Sequence, residues 1–68
     1  MEPDDLIDVL RAQPFQRFVV HLNNGAAFEV PHPEYAMLHG EVLHVSTDEG
    51  VQRCALLNIA HISTPTPA

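Results

Sequence analysis

Apolar and polar residues change their spacing several times along the chain, and each change marks an element. Leu6, Val9 and Leu10 recur at i, i+3 and i+4, with Ile7 at the margin of the same stripe, so the spacing predicts an amphipathic helix over 3–12. Pro3 suits its first turn, where the missing N–H is not needed. Asp4, Asp5 and Asp8 lie toward the positive end of the helix dipole, and Arg11 lies toward the negative end. Pro14 stops the helix and drives Gln13 into an extended conformation. A helix of about ten residues does not persist alone in water. Its stripe must therefore lie on the sheet that follows.

From Phe15 to Leu22 the period becomes two. Phe18, Val20 and Leu22 point one way, and Arg17, Val19 and His21 the other. Asn23-Asn24-Gly25 is a turn signal, because both residue types tolerate positive φ. A second strand over 26–30 places Phe28 and Val30 opposite Ala27 and Glu29, and the two strands form a hairpin. Pro31-His32-Pro33 ends the second strand, since proline cannot donate to a ladder. Pro33 then opens a short helical turn through Glu34-Tyr35-Ala36-Met37-Leu38, closed by Gly40. A third strand over 41–46 alternates Leu43 and Val45 against Val42 and His44. After the turn at Asp48-Glu49-Gly50, a fourth over 51–57 alternates Cys54 and Leu56, taken as the inward set, against Arg53, Ala55 and Leu57. A turn at Asn58-Ile59-Ala60 leads to a last strand over 61–64. These cues predict a mainly β domain: an N-terminal helix followed by a small five-stranded antiparallel barrel, closed or nearly so. Closure would also remove sheet edges that so small a domain can hardly cover. Residues 1–64 are read as one domain and 65–68 as a flexible tail.

Length sharpens this picture. At 68 residues the chain is near the lower limit for a self-sufficient apolar core. Cys54 is the one cysteine, which excludes an intrachain disulfide and a zinc site built mainly of thiolates. Oligomerisation is then the cheapest source of further burial. Nine acidic residues against three arginines give a formal charge of −6. Nucleic-acid affinity comes largely from cations that displace phosphate counterions, so the charge disfavours RNA and favours a protein partner or self-association. No stretch approaches the length of a membrane span. The acidic start, Met1-Glu2-Pro3-Asp4-Asp5, is unlike a signal peptide. The expectation is a cytoplasmic protein with no membrane association.

Two resemblances follow from particular residues. Leu10-Arg11-Ala12-Gln13-Pro14-Phe15, the later Phe18, His21-Leu22 and Gly25, and then Phe28-Glu29-Val30 and His32-Pro33-Glu34 resemble a group of small bacterial proteins of unassigned function. That likeness spans roughly the first half of the chain and implies no activity. The N-terminal helix, the Leu22-Asn23-Asn24-Gly25 strand end and turn, and Ala60-His61-Ile62-Ser63 before Pro65 resemble the Sm-like small barrels, including the bacterial RNA chaperone Hfq, and an SH3-like barrel would look much the same. The resemblance implies rings closed by strand pairing and supports a fold more than an RNA site; ring formation would gather Arg11 or Arg17 on one rim, so Arg11, Arg17 and His61 are the RNA-binding residues of the alternative reading only. The Hfq family places a lysine before the histidine of its last turn; here that position is Ala60.

The chemistry-bearing residues form no catalytic constellation. Five histidines are an unusual number for this length. His21, His44 and His61 fall on strands and His32 and His39 flank the helical turn, but no close metal-ligand spacing joins them. Neither a metal nor any other cofactor is expected. Cys54 has no evident partner base and reads as a small buried residue. No serine lies in a nucleophile elbow, and no glycine-rich loop opens a helix. Tyr35, Met37 and Leu38 are the candidate interface residues, as aromatic and methionine anchors on a surface turn. Met37 and Leu38 serve equally well to cap the open end of a barrel. The expected function is a non-catalytic module that self-associates or docks on a protein by strand addition. The alternative is an Sm-like RNA-binding ring.

Overall fold

The computed structural model describes residues 1–65. The 66–68 part of the expected flexible tail lies outside the described residues. Helix α1 runs over Pro3–Leu10 and is followed by six strands: β1 Phe18–Leu22, β2 Ala27–Val30, β3 Ala36–His39, β4 Val42–Thr47, β5 Gly50–Ala55 and β6 Ile59–Ser63. Single 3-10 turns, Pro33–Tyr35 and Leu56–Asn58, precede β3 and β6.

The strands form two separate three-stranded antiparallel sheets, ordered β2-β1-β6 and β3-β4-β5. The expected five-stranded closed barrel, whether of SH3 or Sm type, is therefore corrected. Closure would require β2 to hydrogen-bond with β3 and β5 with β6. Between β2 and β3 stand Pro31 and Pro33, neither of which has an N–H to donate. Between β5 and β6 the 3-10 turn redirects the chain, and β6 pairs with β1 in the other sheet.

The second correction concerns Ala36-Met37-Leu38, read as part of a helical turn and found, with His39, as a strand. Gly40, at φ 62°, lets Gly40-Glu41 reverse the chain, so that His39 pairs with Val42 and Met37 with His44. Ala36 and Leu38 then share one face and Met37 and His39 the other, which is the alternation of a strand. The helix also ends two residues before its expected limit, with the Arg11 N–H donating to the Ile7 carbonyl at 2.9 Å. The last strand begins at Ile59, where a turn had been read, and ends at Ser63.

Local chemistry explains the hairpins that were anticipated. In the β1–β2 turn Gly25 takes φ 91°, the Ala26 N–H donates to Asn24 Oδ1 at 2.9 Å, and the Leu22 N–H donates to the Ala26 carbonyl at 2.8 Å. An asparagine closing its own turn in this way supplies the acceptor that the reversed backbone lacks. In the β4–β5 turn the Thr47 hydroxyl donates to the Gly50 carbonyl at 2.8 Å and accepts from the Glu49 N–H at 3.2 Å.

One core joins the two sheets and the helix. Leu6 from α1, Phe18, Val20, Val30 and Ile59 from the first sheet, and Leu43, Val45 and Cys54 from the second are all buried, with Leu56 from the connecting turn. Val9, Leu10, Phe15, Phe28 and Leu38 pack against this cluster from its margins. Cys54 and Leu56, the pair taken as inward on the fourth strand, are buried.

Candidate interaction surface

The second sheet has an inner and an outer face, fixed by its register. Leu43, Val45 and Cys54 point into the core, so the alternate residues Met37, His44, Ser46, Val51 and Arg53 lie outside. Among the described residues, three of the four large apolar side chains that stand clear of the core gather here: Tyr35 is 42% exposed, Met37 61% and Val51 61%. With Glu34, Ala36, His44 and Ser46 they line one shallow depression of about 280 Å³. An apolar patch of this kind on an outer sheet face is a recognised mark of an interaction site. The ring of His32 lies 5.8 Å from that of Tyr35, at 55°, and supports one side of it.

The edge of this sheet adds a second feature. Leu56 N–H donates to the Glu41 carbonyl at 2.9 Å, continuing the β4–β5 ladder. Because hydrogen-bonded pairs alternate in an antiparallel ladder, Cys54 and Gln52 exchange bonds with Leu43 and Val45. The backbone N–H and C=O groups of Val51, Arg53 and Ala55 consequently face away from β4. β5 is a sheet edge, six residues long, without proline and with Arg53 as its single charge. Such a strand carries few of the devices that blunt an edge. Beside it runs a groove of about 330 Å³, walled by Asn23 and Asn24 of the β1–β2 turn and by Arg53, Ala55 and Asn58. The Asn23 N–H donates to the Asn58 carbonyl at 2.9 Å and ties that turn to the 3-10 turn that follows β5.

The sequence-derived candidates separate in space. Tyr35 and Met37 meet on the outer face, on the 3-10 turn and on β3 respectively, where they are free to act as anchors. Leu38 points to the other side of the same strand and packs against the core. Val51 and the β5 edge were not singled out from sequence. Their signal was the Val51-Gln52-Arg53 alternation, but which strand would remain an edge depends on pairing elsewhere. The three residues of the RNA reading lie on different elements: Arg11 caps α1, Arg17 precedes β1, and exposed His61 sits on β6 against the ring of His21.

Burial pushes the Cys54 thiol above its ordinary value, which suits the role of a small core residue. Among the described residues no group of three or more histidine, cysteine, aspartate or glutamate side chains is gathered for a metal. No helix among them is long and apolar enough to cross a membrane. Compared with known proteins, the chain matches no family model, no curated protein and no solved structure, so its function has to be argued from this surface.

Proposed function

We propose that this protein is a non-catalytic interaction module that pairs the free edge of β5 with the β5 edge of a second copy. The observation that carries the reading is the unprotected six-residue edge beside the exposed Val51, Met37 and Tyr35. An edge strand is its own complement, since two copies related by a two-fold axis present matching donors and acceptors to each other. Charge selects the antiparallel arrangement. Asp48 and Glu49 sit at one end of β5, and a parallel pairing would set the two acidic turns side by side. Antiparallel pairing separates them and brings each toward the other copy's Leu56–Asn58 turn. The product would be one continuous six-stranded sheet, with the apolar residues of both copies on one face. Extra burial of this kind is what a domain of this size most lacks. The alternative ring with RNA at Arg11, Arg17 and His61 rested on a closed barrel, and the two separate sheets remove that premise.

Light scattering behind a sizing column, over a range of concentrations, tests the proposal. The expected result is a dimer whose dissociation appears on dilution. Val51→Glu places a carboxylate at the pairing edge, and Arg53→Pro removes an outward N–H without touching the β4 ladder; both should run as folded monomers. A wild-type monomer at every concentration overturns self-pairing and directs the search to a different protein partner. A dimer that survives both substitutions places its interface elsewhere.

A further inference from the structure

On the outer face of the first sheet, His21 and His61 occupy directly opposed positions of β1 and β6. Their rings stack with centroids 4.2 Å apart and planes 10° from parallel. The pairing slips immediately beside them: Leu22 opposes Ile59 while His21 opposes His61, so Ala60 is left as the extra residue of a bulge. Bulges bend a strand and re-aim its side chains, and this one coincides with the stacked pair. His21 Nε2 also lies 2.8 Å from Ser63 Oγ, two residues along the same face.

We infer that His21 and His61 form a two-histidine chelate for a divalent transition-metal ion of the zinc, nickel and copper group. Imidazole nitrogen is a preferred donor for these ions, and its affinity rises toward copper. A tetrahedral centre with metal–nitrogen bonds of about 2.05 Å holds its nitrogens about 3.3 Å apart. In the stacked arrangement the in-plane lone pairs run nearly parallel, so both rings must turn until one nitrogen of each points at a shared ion. The required motion is a turn about the terminal side-chain torsion, which is broad in histidine.

Ser63 gives the pair its direction. When the His21 Nε2–H donates to the Ser63 hydroxyl, the proton is fixed on that nitrogen and Nδ1 keeps its lone pair for the metal. A ligating histidine commonly donates its other ring N–H in this manner, which sets both tautomer and orientation. His61 is exposed and has no hydrogen-bond partner given by the described residues, so its ring is free to follow. On the flanking strand β2, Ala27 opposes His21 and leaves room above it, while Glu29 stands one row away beside Val19. That carboxylate and the chain's charge of −6 both favour a cation. Two protein donors leave the remaining coordination positions to water.

The test uses the full chain with Zn2+ or Ni2+ alone, followed by calorimetric titration, and with Cu2+ alone, followed by paramagnetic broadening of the histidine ring signals in NMR spectra. One ion per chain is expected, with broadening confined to His21 and His61. His61→Ala removes an exposed side chain and should weaken binding by about tenfold or more, while His39→Ala on the other sheet leaves it unchanged. Ser63→Ala should weaken binding by about tenfold through loss of orientation. Should His21→Ala fail to fold, the His61 and Ser63 variants still decide the matter. Equal broadening of all five histidines, or unchanged affinity in His61→Ala, overturns the assignment.

Discussion

Replacing Leu6 with alanine asks what holds the helix to the sheets. Leu6 is the fully buried residue of α1, and its side chain enters the cluster shared by both sheets. The substitution cuts an isobutyl group back to a methyl in a site closed on every side. At about 0.8 kcal/mol per buried methylene, the transfer loss is about 2.4 kcal/mol. The cavity left behind raises the total to about 3–5 kcal/mol, because a closed site relaxes only in part. A chain of this length has roughly 3–10 kcal/mol of stability in all. The variant should therefore be close to unfolding at room temperature. An eight-residue helix does not survive undocked, so helical ellipticity should vanish together with the sheet signal. Urea titration followed by circular dichroism, with Leu57→Ala as control, provides the measurement. Leu57 is 79% exposed, and its truncation should change stability by no more than about 0.5 kcal/mol. A Leu6→Ala loss below about 1 kcal/mol would refute the reasoning, since it would mean that α1 contributes little to a core it lines.

Other outcomes follow from single sites. Gly40→Ala should cost about 1–2 kcal/mol from the backbone alone, because an added methyl meets nothing within 4 Å while φ stays at +62°; a neutral result by thermal unfolding would show that the turn can change shape. Asn24→Ala removes the acceptor for the Ala26 N–H and should cost about 0.5–1.5 kcal/mol by the same measurement. Leu38→Ala should destabilise the fold by about 2 kcal/mol or more, whereas Met37→Ala should spare stability and weaken self-association; a reversed pattern would restore the helical reading of 36–39. Burial raises the Cys54 thiol above its ordinary 9.0, so the unfolded chain loses this proton first as pH rises. Its stabilising contribution is complete below that value and is lost as pH climbs through the higher folded value. Cys54→Ala should flatten the alkaline fall in urea midpoint, and an unaltered slope would assign it to other groups.

The fold was legible wherever a local signal decided the matter. Gly25 and Gly50 take positive φ at the expected turns, and alternation grouped Phe18 with Val20, Leu43 with Val45, and Cys54 with Leu56, the groups the core buries. Residues 36–39 were misread because Pro33 and Gly40 bracket a helical turn as naturally as a short strand. Four residues carry too little periodicity to choose between them. The choice is made by pairing with β4, and the separation into two sheets by pairing of β6 with β1. The same dependence hid much of the site. Tyr35 and Met37 stood out as exposed anchors, but Val51 joins them only through the β3-β4-β5 register. His61 was noted as a possible RNA contact, yet its neighbour His21 belongs to a strand about forty positions earlier, a distance over which no spacing rule operates.

The split into two sheets also orders the folding of the chain. The second sheet is built from consecutive hairpins within Ala36–Ala55, so each pairing closes only a short loop. The first sheet is different. β1 meets β2 across a tight turn, but its other edge waits for β6, and His21 bonds to Ser63 across 42 positions. Contacts of long sequence separation are the slow ones to form. The second sheet is thus the natural nucleus, and β6 is the strand that completes the core last. Until β6 arrives, Val20 lacks its partner Ile62 and the core lacks Ile59. Substitutions in the β4–β5 hairpin should accordingly slow folding, while those in β6 should chiefly hasten unfolding.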